Sequence, residues 1–296
     1  MAVTTMRVGF IVERRYLRQQ MPEAVIRILQ ARAIGTDVLC PQGGRFDPEQ
    51  GVFRSEAGGE FDLNDYDVIV SRNRNALGLA MLAYADAAGI LAINTHASTQ
   101  RVRNKAKMAI ALGRAGVRTA PTVLAADASA LAGLPPEWFP LILKATYGDN
   151  SQGLRLIRHP VDLGDVHWGD DLVLAQHYLP NDGFDLKLYV CGRTVFAMHK
   201  PSPFNGDPSA SPRPARLDAR MAELALRCGD TFGLDVYGVD MIETADGLAV
   251  IEVNEFPNFT GVPGAAERIV DYILARADGK GEIRRADLDP AAAVGG

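Results

Sequence analysis

The sequence predicts an α/β protein in which a doubly wound unit precedes a region of strand hairpins. Three features predict this class. Apolar runs of strand length alternate with helical periodicity in the first third, a glycine-bearing loop joins two short strands near residue 150, and a short polar link joins two strands near the C-terminus. The 296 residues are enough for two or three compact units.

The first part of the chain alternates strands and helices. Strands are predicted at 7–12, 36–40, 67–70 and 90–94, helices at 22–34 and 76–88, and a loop or irregular hairpin at 41–60. Ligands of doubly wound units bind at the carboxyl ends of the strands. Arg72 and Arg74 follow the third strand, where two guanidinium groups could hold a substrate carboxylate or phosphate, or could be solvated loop charges. Because no G-x-G-x-x-G follows the first strand, we exclude a dinucleotide site.

Composition excludes several classes of partner. The net charge of -5 argues against a nucleic-acid or membrane-surface binder, since those polyanions need a basic face. The three cysteines are too far apart for a zinc site or a disulfide framework, which fits a reducing compartment. No apolar run reaches the ~20 residues of a membrane span, so a cytoplasmic protein is expected.

The segment 98–116 predicts one long basic helix or two abutting helices, ended by Gly116. Farther along, the apolar run 140–143 ends in Lys144, and the loop 147–153 joins it to a second strand at 154–157. A lysine at the end of a buried strand needs an anion, and a glycine-bearing hairpin loop can place its N–H groups over phosphate oxygens. A nucleotide phosphate would suit both features.

The stretch 249–261 predicts a buried strand that presents Glu252 and Asn254 on one face. A second strand at 237–242 carries Asp240, and the Asp246-Gly247 link makes the two strands an antiparallel hairpin. Three oxygen ligands would then converge, and such ligands suit Mg²⁺ that shares substrate phosphates. A hairpin with ordinary edge charges is the alternative.

These motifs carry a resemblance. Gly-Val-Asp at 238–240, Glu-Val-Asn at 252–254 and the following proline-bearing loop resemble the metal-binding end of the ATP-grasp superfamily, and Lys144 with its loop resembles the family's flap. The similarity covers about residues 94–277 and is greatest to glutathione synthetases and RimK-type ligases. It implies an N-terminal α/β domain at 1–97, lobe A at 98–171 and lobe B at 172–280, with the lobes sandwiching the nucleotide, and a flexible tail at 281–296.

The resemblance also implies roles for individual residues. ATP and two magnesium ions, with Mn²⁺ as a substitute, are the implied cofactors, and Asp240, Glu252 and Asn254 the metal ligands. Lys105 is favoured over Lys107 as a nucleotide contact, and the other implied nucleotide contacts are Lys144, Asp149, Ser151, Gln152, Gly153, Gln176, His177, Leu179 and Asp185. For His177 mainly the backbone is expected to matter. Lys187 is placed at phosphate or product, as a catalytic group.

The segment 199–216 departs from the ligase pattern. Its prolines predict a substrate-covering loop, in which Lys200 and Arg213 are candidate catalytic contacts and Arg216, with Arg72 and Arg74, a candidate substrate contact. A simple surface loop is the alternative.

The implied function is ATP-dependent ligation of a carboxylate to an amine, through an acylphosphate, with small-molecule amino-acid or peptide substrates. The loop 254–262 also resembles inositol trisphosphate kinases, which makes a small-molecule kinase the first alternative, and a non-catalytic nucleotide-binding protein is the second. A homodimer is common in such enzymes, although no pattern in this chain specifies one.

Overall fold

The computed structural model describes residues 6–147, 154–166, 168–169, 172–207 and 209–279. Its N-terminal unit, residues 6–93, contains a parallel sheet of order β2-β1-β6-β7 and an antiparallel sheet of order β3-β4-β5. The elements are β1 (Arg7–Val12), α1 (Gln20–Ala31), β2 (Gly35–Leu39), β3 (Arg45–Asp47), β4 (Val52–Arg54), β5 (Glu60–Asp62), β6 (Val68–Arg72), α2 (Ala76–Ala87) and β7 (Leu91–Ile93).

This unit confirms the predicted β-α-β opening. Phe10 and Ile11, neighbours in β1, enter two different apolar clusters, because a central parallel strand is covered on both faces. The segment predicted as a loop or irregular hairpin at 41–60 instead forms a regular three-stranded sheet, which extends to Asp62.

The basic segment after this unit forms two abutting helices, α3 (His96–Arg103) and α4 (Lys105–Arg114). They separate at Asn104, whose extended backbone ends α3 and whose side chain accepts a hydrogen bond from Lys107 N at 2.9 Å. The cap fixes Lys105 as the first residue of α4, and its N–H donates to Thr146 O at 3.0 Å. The start of α4 is thereby attached to the end of a strand in the next lobe.

A small lobe, residues 119–177, contains an antiparallel sheet of order β10-β9-β11-β8. Its strands are β8 (Thr122–Ala125), β9 (Leu141–Ala145), β10 (Arg155–Ile157) and β11 (Val173–His177). The predicted boundary between 171 and 172 does not coincide with this sheet. β11 forms hydrogen bonds with both β9 and β8, so it completes the first sheet and does not open the second.

The large sheet that follows has the order β14-β13-β12-β15-β16 and is antiparallel. Its region comprises β12 (Phe184–Cys191), β13 (Thr194–Pro201), β14 (Arg213–Pro214), α5 (Ala219–Phe232), β15 (Val236–Thr244), β16 (Gly247–Glu255) and α6 (Ala265–Ala277). One face packs on α3, α4 and α5. Part of the opposite face packs on α6 and the N-terminal unit, and the remainder lines the central cavity described below.

Sequence-based expectations also concern the state of the cysteines, membrane-spanning helices and the C-terminal tail. All three cysteines are free thiols in this structure; Cys191 and Cys228 are buried in apolar clusters, whereas Cys40 is half-buried. Among the described residues, no helix is both long and apolar enough to cross a membrane. The predicted tail at 281–296 lies outside the described residues.

Candidate active site

A central cavity of about 450 Å³ lies between the small lobe and the large sheet. It gathers residues that the sequence singled out from both lobes and from the N-terminal unit. The candidate site residues from the sequence that line this cavity are Arg72, Arg74, Lys105, Lys144, Gln176, His177, Leu179, Asp185, Lys187, Lys200, Asp240, Glu252 and Asn254. Six of these are lysines or arginines and three are carboxylates, so the cavity carries an excess of positive charge suited to a polyanion.

The small lobe contributes an alternating face of β9. Leu141 and Leu143 enter the lobe's own apolar cluster, whereas Ile142 and Lys144 face the cavity, as the period of a strand requires. Lys144 is 5 % exposed and donates to Gln176 Oε1 at 2.6 Å. Burial lowers the pKa of the Lys144 ammonium to about 8, against the opposing attraction of Glu252. The predicted burial of Lys144 is therefore confirmed.

The β15–β16 hairpin carries the three predicted oxygen ligands. Asp240 lies directly opposite Glu252, and Asn254 Nδ2 donates to Asp240 Oδ2 at 2.8 Å. Next to this pair the register shifts, because Met241 pairs with Val250 and Ile251 is left as a β-bulge. The convergence expected from the hairpin is thus confirmed as geometry.

The bulge changes which residues share a face. Strict alternation would place Val250 beside Glu252 and Asn254, but Val250 lies with Val253 in the apolar cluster on the other side. Ile251 and Glu252, although adjacent in sequence, both line the cavity. The extra residue therefore turns the polar end of β16 toward the cavity while its apolar start stays in the core.

Lysines neutralise the two hairpin carboxylates. Lys105 Nζ lies 2.7 Å from Glu252 Oε1, and Lys187 Nζ lies 2.6 Å from Asp240 Oδ2. Burial raises the pKa of Glu252, but the charges of Lys105 and Lys144 outweigh it and hold the pKa below its ordinary value. Glu252 is consequently ionised at neutral pH and is balanced by cations of the protein itself.

Close packing explains why a glycine stands at position 238, the first residue of the Gly-Val-Asp motif. A Cβ built on Gly238 would lie 3.0 Å from Lys187 Cε and 3.2 Å from Pro257 Cγ. The missing side chain leaves room for the Lys187 stem, which packs against Gly238 while its ammonium group contacts Asp240. A side chain at this position would crowd the lysine–carboxylate pair.

Asp185 lies on the same face of β12 as Lys187. Burial raises the pKa of Asp185 and the charge of Asp240 adds to this, while hydrogen bonds from Ser202 and Asn181 oppose it. Lys200 is directly opposite Asp185 on β13 and is exposed at the cavity edge. The structure brings these predicted residues together, and their roles stay predictions.

The segment after β11 forms one edge of the cavity. The N–H groups of His177 and Tyr178 donate to Pro121 O and Pro140 O, at 2.8 and 2.9 Å. The His177 ring contacts Trp138 O at 3.0 Å, which holds the imidazole against the small lobe. The side chain of Gln176 accepts a hydrogen bond from Lys144 in this structure.

Arg72 and Arg74 reach the cavity from the N-terminal unit. The Arg72 guanidinium lies over the Tyr16 ring, 4.3 Å from its centroid. Arg74 Nε lies 3.4 Å from Glu255 Oε1, and Glu255 is 6 % exposed. Both arginines line the central cavity, whereas their contact with a substrate stays a prediction.

Other predicted residues lie elsewhere. Arg213 is exposed on β14, where its guanidinium lies 4.8 Å from the centroid of the Phe184 ring, and Arg216 is exposed beyond that strand. Neither lines the cavity, because the short β13–β14 pairing holds this segment at the outer edge of the sheet. Lys107 is exposed on α4 and is also absent from the lining. Asp149, Ser151, Gln152 and Gly153 lie outside the described residues.

The cavity also contains residues that the sequence reasoning missed. Apolar side chains at its walls and polar ones near its mouth complete the lining: Gln19, Ile142, Ala145, Leu154, Tyr178, Tyr189, Pro201, Ser202, Pro203, Phe204, Ile242, Ile251, Pro257, Asn258 and Thr260. Two had a signal in the sequence. Ile142 and Ile242 lie two residues from Lys144 and Asp240, so strand alternation places them on the same faces as those charged groups.

The donor set fits a hard divalent cation. The described residues contain no cluster of three or more His, Cys, Asp or Glu side chains suited to a metal, and the candidate ligands here are two carboxylates and one amide. Magnesium ordinarily takes one or two protein carboxylates and completes its shell with water and substrate phosphates. Asp240, Glu252 and Asn254 fit that pattern.

Comparison with known proteins agrees with this geometry. The RimK-like ATP-grasp domain family matches residues 102–273, which is more than half of the chain. The chain belongs to the RimK-like ATP-grasp family. Over 236 residues it is 28 % identical to a probable alpha-L-glutamate ligase of Haemophilus influenzae, covering 73 % of this chain and 78 % of that relative.

Solved structures share the ATP-grasp fold. A RimK-domain ATP-grasp protein from Sphaerobacter thermophilus has a TM-score of 0.72 at 20 % identity, covering 90 % of this chain and 99 % of the other. The ATP-grasp ligase PsnB, solved with a precursor peptide and AMPPNP, has a TM-score of 0.68 at 17 % identity, covering 94 % of this chain and 99 % of the other. The predicted fold is confirmed.

Membership decides between the functional alternatives. The protein is an enzyme of the ATP-grasp ligase type, which joins a carboxylate to an amine at the expense of ATP. The kinase-like loop at 254–262 is thus part of a ligase.

Proposed function

We propose that this RimK-like protein forms an amide bond between an amino-acid or peptide carboxylate and an amine through an acylphosphate. The observation that carries the proposal is the convergence of Lys105, Lys144 and Lys187 with two carboxylates in one cavity between the lobes. The substrate class is supported by the name of one relative, a probable alpha-L-glutamate ligase, and by the precursor peptide bound in the structure of the ATP-grasp ligase PsnB.

In the first step, an oxygen of the substrate carboxylate attacks the γ-phosphorus of ATP, and the bond to the bridging oxygen breaks as ADP leaves. The amine then attacks the acyl carbon, the phosphate leaves with the bonding electron pair, and the amine proton passes to solvent. No side-chain nucleophile is needed. The chain's own contribution is positioning and charge, which are the main requirements of phosphoryl transfer.

Each lysine is placed to bind phosphate oxygens once its present partner is released. Bound magnesium, held by Asp240, Glu252 and Asn254, would offset phosphate charge during transfer. Lys105 and Lys187 now contact the same carboxylates that the metal requires. If both ligands bound together, the lysines would exchange their carboxylate partners for phosphate and the carboxylates would be balanced by the cation, so that neither side of the pair would be left buried and unbalanced.

The proposal is tested by stoichiometry. Pairs of carboxylates and amines are incubated with ATP and magnesium, and ADP, free phosphate and product mass are measured together. A ligase yields equal ADP and phosphate and a product equal to the two substrates minus water. Hydroxylamine in place of the amine should trap the acylphosphate as a hydroxamate. A product heavier by one phosphoryl group, formed without free phosphate, would overturn the assignment.

A further inference from the structure

Beside the central cavity lies a second, smaller one of about 190 Å³, which we term the basic cavity. It opens between the carboxyl end of β6, the end of α3 and the end of β16. Its lining residues are Arg15, Arg74, Val102, Arg103, Lys105, Tyr147, Glu252, Asn254 and Glu255. Four of these are cations and two are carboxylates, so two positive charges are in excess.

Arg103 is a residue of this cavity whose guanidinium is incompletely hydrogen-bonded within the described part of the chain. It is the last residue of α3 and donates from Nη2 to Arg74 O at 3.2 Å. Its Nη1 is buried, and no acceptor within the described part of the chain reaches it. A guanidinium N–H that is removed from water without a partner is unfavourable, so a small shift of the Arg103 side chain that brings Nη1 to an anion in the cavity would be favoured.

Neighbouring charges do not satisfy Arg103. Burial lowers the pKa of its guanidinium, and the charge of Arg74 adds to this, while Glu255 opposes it. Glu255 itself contacts Arg74 at 3.4 Å, and Glu252 contacts Lys105 at 2.7 Å. The two carboxylates of the cavity are thus already engaged with other cations.

The basic cavity adjoins the central cavity, where we propose that phosphate is transferred. It shares Arg74, Lys105, Glu252 and Asn254 with the central cavity, and two of these are proposed metal ligands. A molecule whose reacting carboxylate lay at the proposed metal ligands would have the basic cavity, and with it Arg103, beside it. The volume is below the roughly 300–1,000 Å³ of a pocket for a drug-sized ligand, so it suits one short polar group.

We propose that the basic cavity binds a second carboxylate of the acid substrate, so that this ligase selects dicarboxylates, with Arg103 as the specificity-determining contact. The proposal rests on the ligase function proposed above. A carboxylate is the complement of a guanidinium fork, because its two oxygens accept parallel N–H donors. One further negative group would also offset the excess of positive charge.

The test measures equilibrium binding of isosteric pairs. Glutarate, aspartate and glutamate are compared with the monoamide of glutarate, asparagine and glutamine, in the presence of magnesium and a non-hydrolysable ATP analogue. Each amide keeps the shape and removes one charge. We expect at least one dicarboxylate to bind about 10- to 100-fold more tightly than its amide, the range of a hydrogen bond to a charged group.

Substitutions of Arg103 test whether this residue causes the preference for the dicarboxylate over its amide. Arg103→Gln should abolish the discrimination while the affinity for the ATP analogue and the thermal midpoint stay unchanged, which shows that the fold is intact. Arg103→Lys keeps the positive charge without the two parallel N–H donors of a guanidinium group. It should restore part of the discrimination between acid and amide. Arg101→Gln is the matched control, because Arg101 is exposed on the same helix and does not line the cavity.

The outcomes separate this inference from the function on which it rests. Equal binding of acids and amides, no binding by any dicarboxylate, or discrimination that survives Arg103→Gln would overturn the basic cavity as a carboxylate site. Discrimination that depends on Arg103 supports it, even if the assay for ADP and phosphate shows that the ligase chemistry is wrong.

Discussion

The lysines of the central cavity and the arginine of the basic cavity differ in what they contact. Lys105, Lys144 and Lys187 are hydrogen-bonded to Glu252, Gln176 and Asp240. Arg103, only two residues before Lys105, has a buried Nη1 without an acceptor in the described residues. The two groups lie side by side in one basic region.

The difference shows two ways of preparing a protein for an anion. Where lysine meets carboxylate, the site is neutralised by its own residues, and a ligand must exchange partners before it gains binding energy. Where a guanidinium N–H is unsatisfied, the unfavourable burial is present before the ligand arrives. The first arrangement couples two ligands, and the second selects one chemical group.

The largest effect is expected at the carboxylates. Asp240→Asn and Glu252→Gln should each lower kcat by at least about 100-fold, because they remove charge that holds the metal against the phosphates. ADP release at saturating ATP measures this. Glu243→Gln is the control, since Glu243 is exposed on the same hairpin. Wild-type turnover in either variant would remove the metal assignment.

Removing the buried lysine should act on nucleotide affinity. Lys144→Met keeps the stem without the charge and should weaken ATP binding about 10- to 100-fold, as loss of a charged hydrogen bond does. Calorimetric titration measures the dissociation constant. Lys107→Met, at an exposed lysine of α4, should leave it unchanged, and equal effects of both substitutions would refute the role of Lys144.

The pKa of Lys144 predicts a pH dependence. Its folded-state value of about 8 lies below the ordinary 10.5, so burial of its ammonium disfavours folding below about pH 8. That penalty disappears as pH rises from about 8 to 10.5, and stability should increase over this window relative to Lys144→Met. ATP needs the charged form, so wild-type binding should weaken above about pH 8 and take up a proton there. Titration in buffers of different ionisation enthalpy detects that uptake.

If the lysines exchange their carboxylate partners for phosphate while the carboxylates bind the metal, metal binding and nucleotide binding should depend on each other. Magnesium should strengthen ADP binding about tenfold or more, and ADP should strengthen magnesium binding by the same factor, as linkage requires. Glu252→Gln should reduce this coupling, because Lys105 then has no charged partner to leave. Independent binding in the wild type would contradict the exchange.

The smallest effects concern two glycines. Gly238→Ala should lower kcat several-fold, because its Cβ would lie 3.0 Å from Lys187 Cε and disturb the contact with Asp240. Gly113→Ala, in α4 where an added Cβ would have no side chain or distant backbone atom within 4 Å, should leave kcat unchanged and stabilise the protein by up to about 1 kcal/mol. Thermal unfolding and turnover measured on both variants test this contrast.

Local patterns were enough to predict much of the fold and of the central cavity. Alternation along β9 and β15 placed Lys144 and Asp240 correctly, because a strand's period determines its faces. The bulge at Ile251 was not predictable from that period, since one extra residue reverses the faces on one side of it. The sequence also gave no sign that β11 belongs to the first sheet, because strand pairing depends on distant partners.

Three arginines show even more clearly that positions set by tertiary packing could not be predicted from the sequence. Arg213 and Arg216 were expected at the substrate because a proline-rich loop can cover a site, yet their segment lies along an outer strand of the large sheet. Arg103 was overlooked as one more cation on a basic helix. Its importance comes from burial at the helix end against Arg74, which only the packing of α3 on the N-terminal unit establishes.

The small lobe's apolar cluster has a mechanical consequence. Leu131, Leu141 and Val173 belong to a core that, in the described part of the chain, shares no residue with the other three clusters. A hinge rotation after Val117, which itself packs in the core beside the large sheet, and about 178–183 would therefore leave the small lobe's core intact. It would break polar contacts such as Lys105 N to Thr146 O, so the enzyme can open for ATP at a small cost in apolar burial.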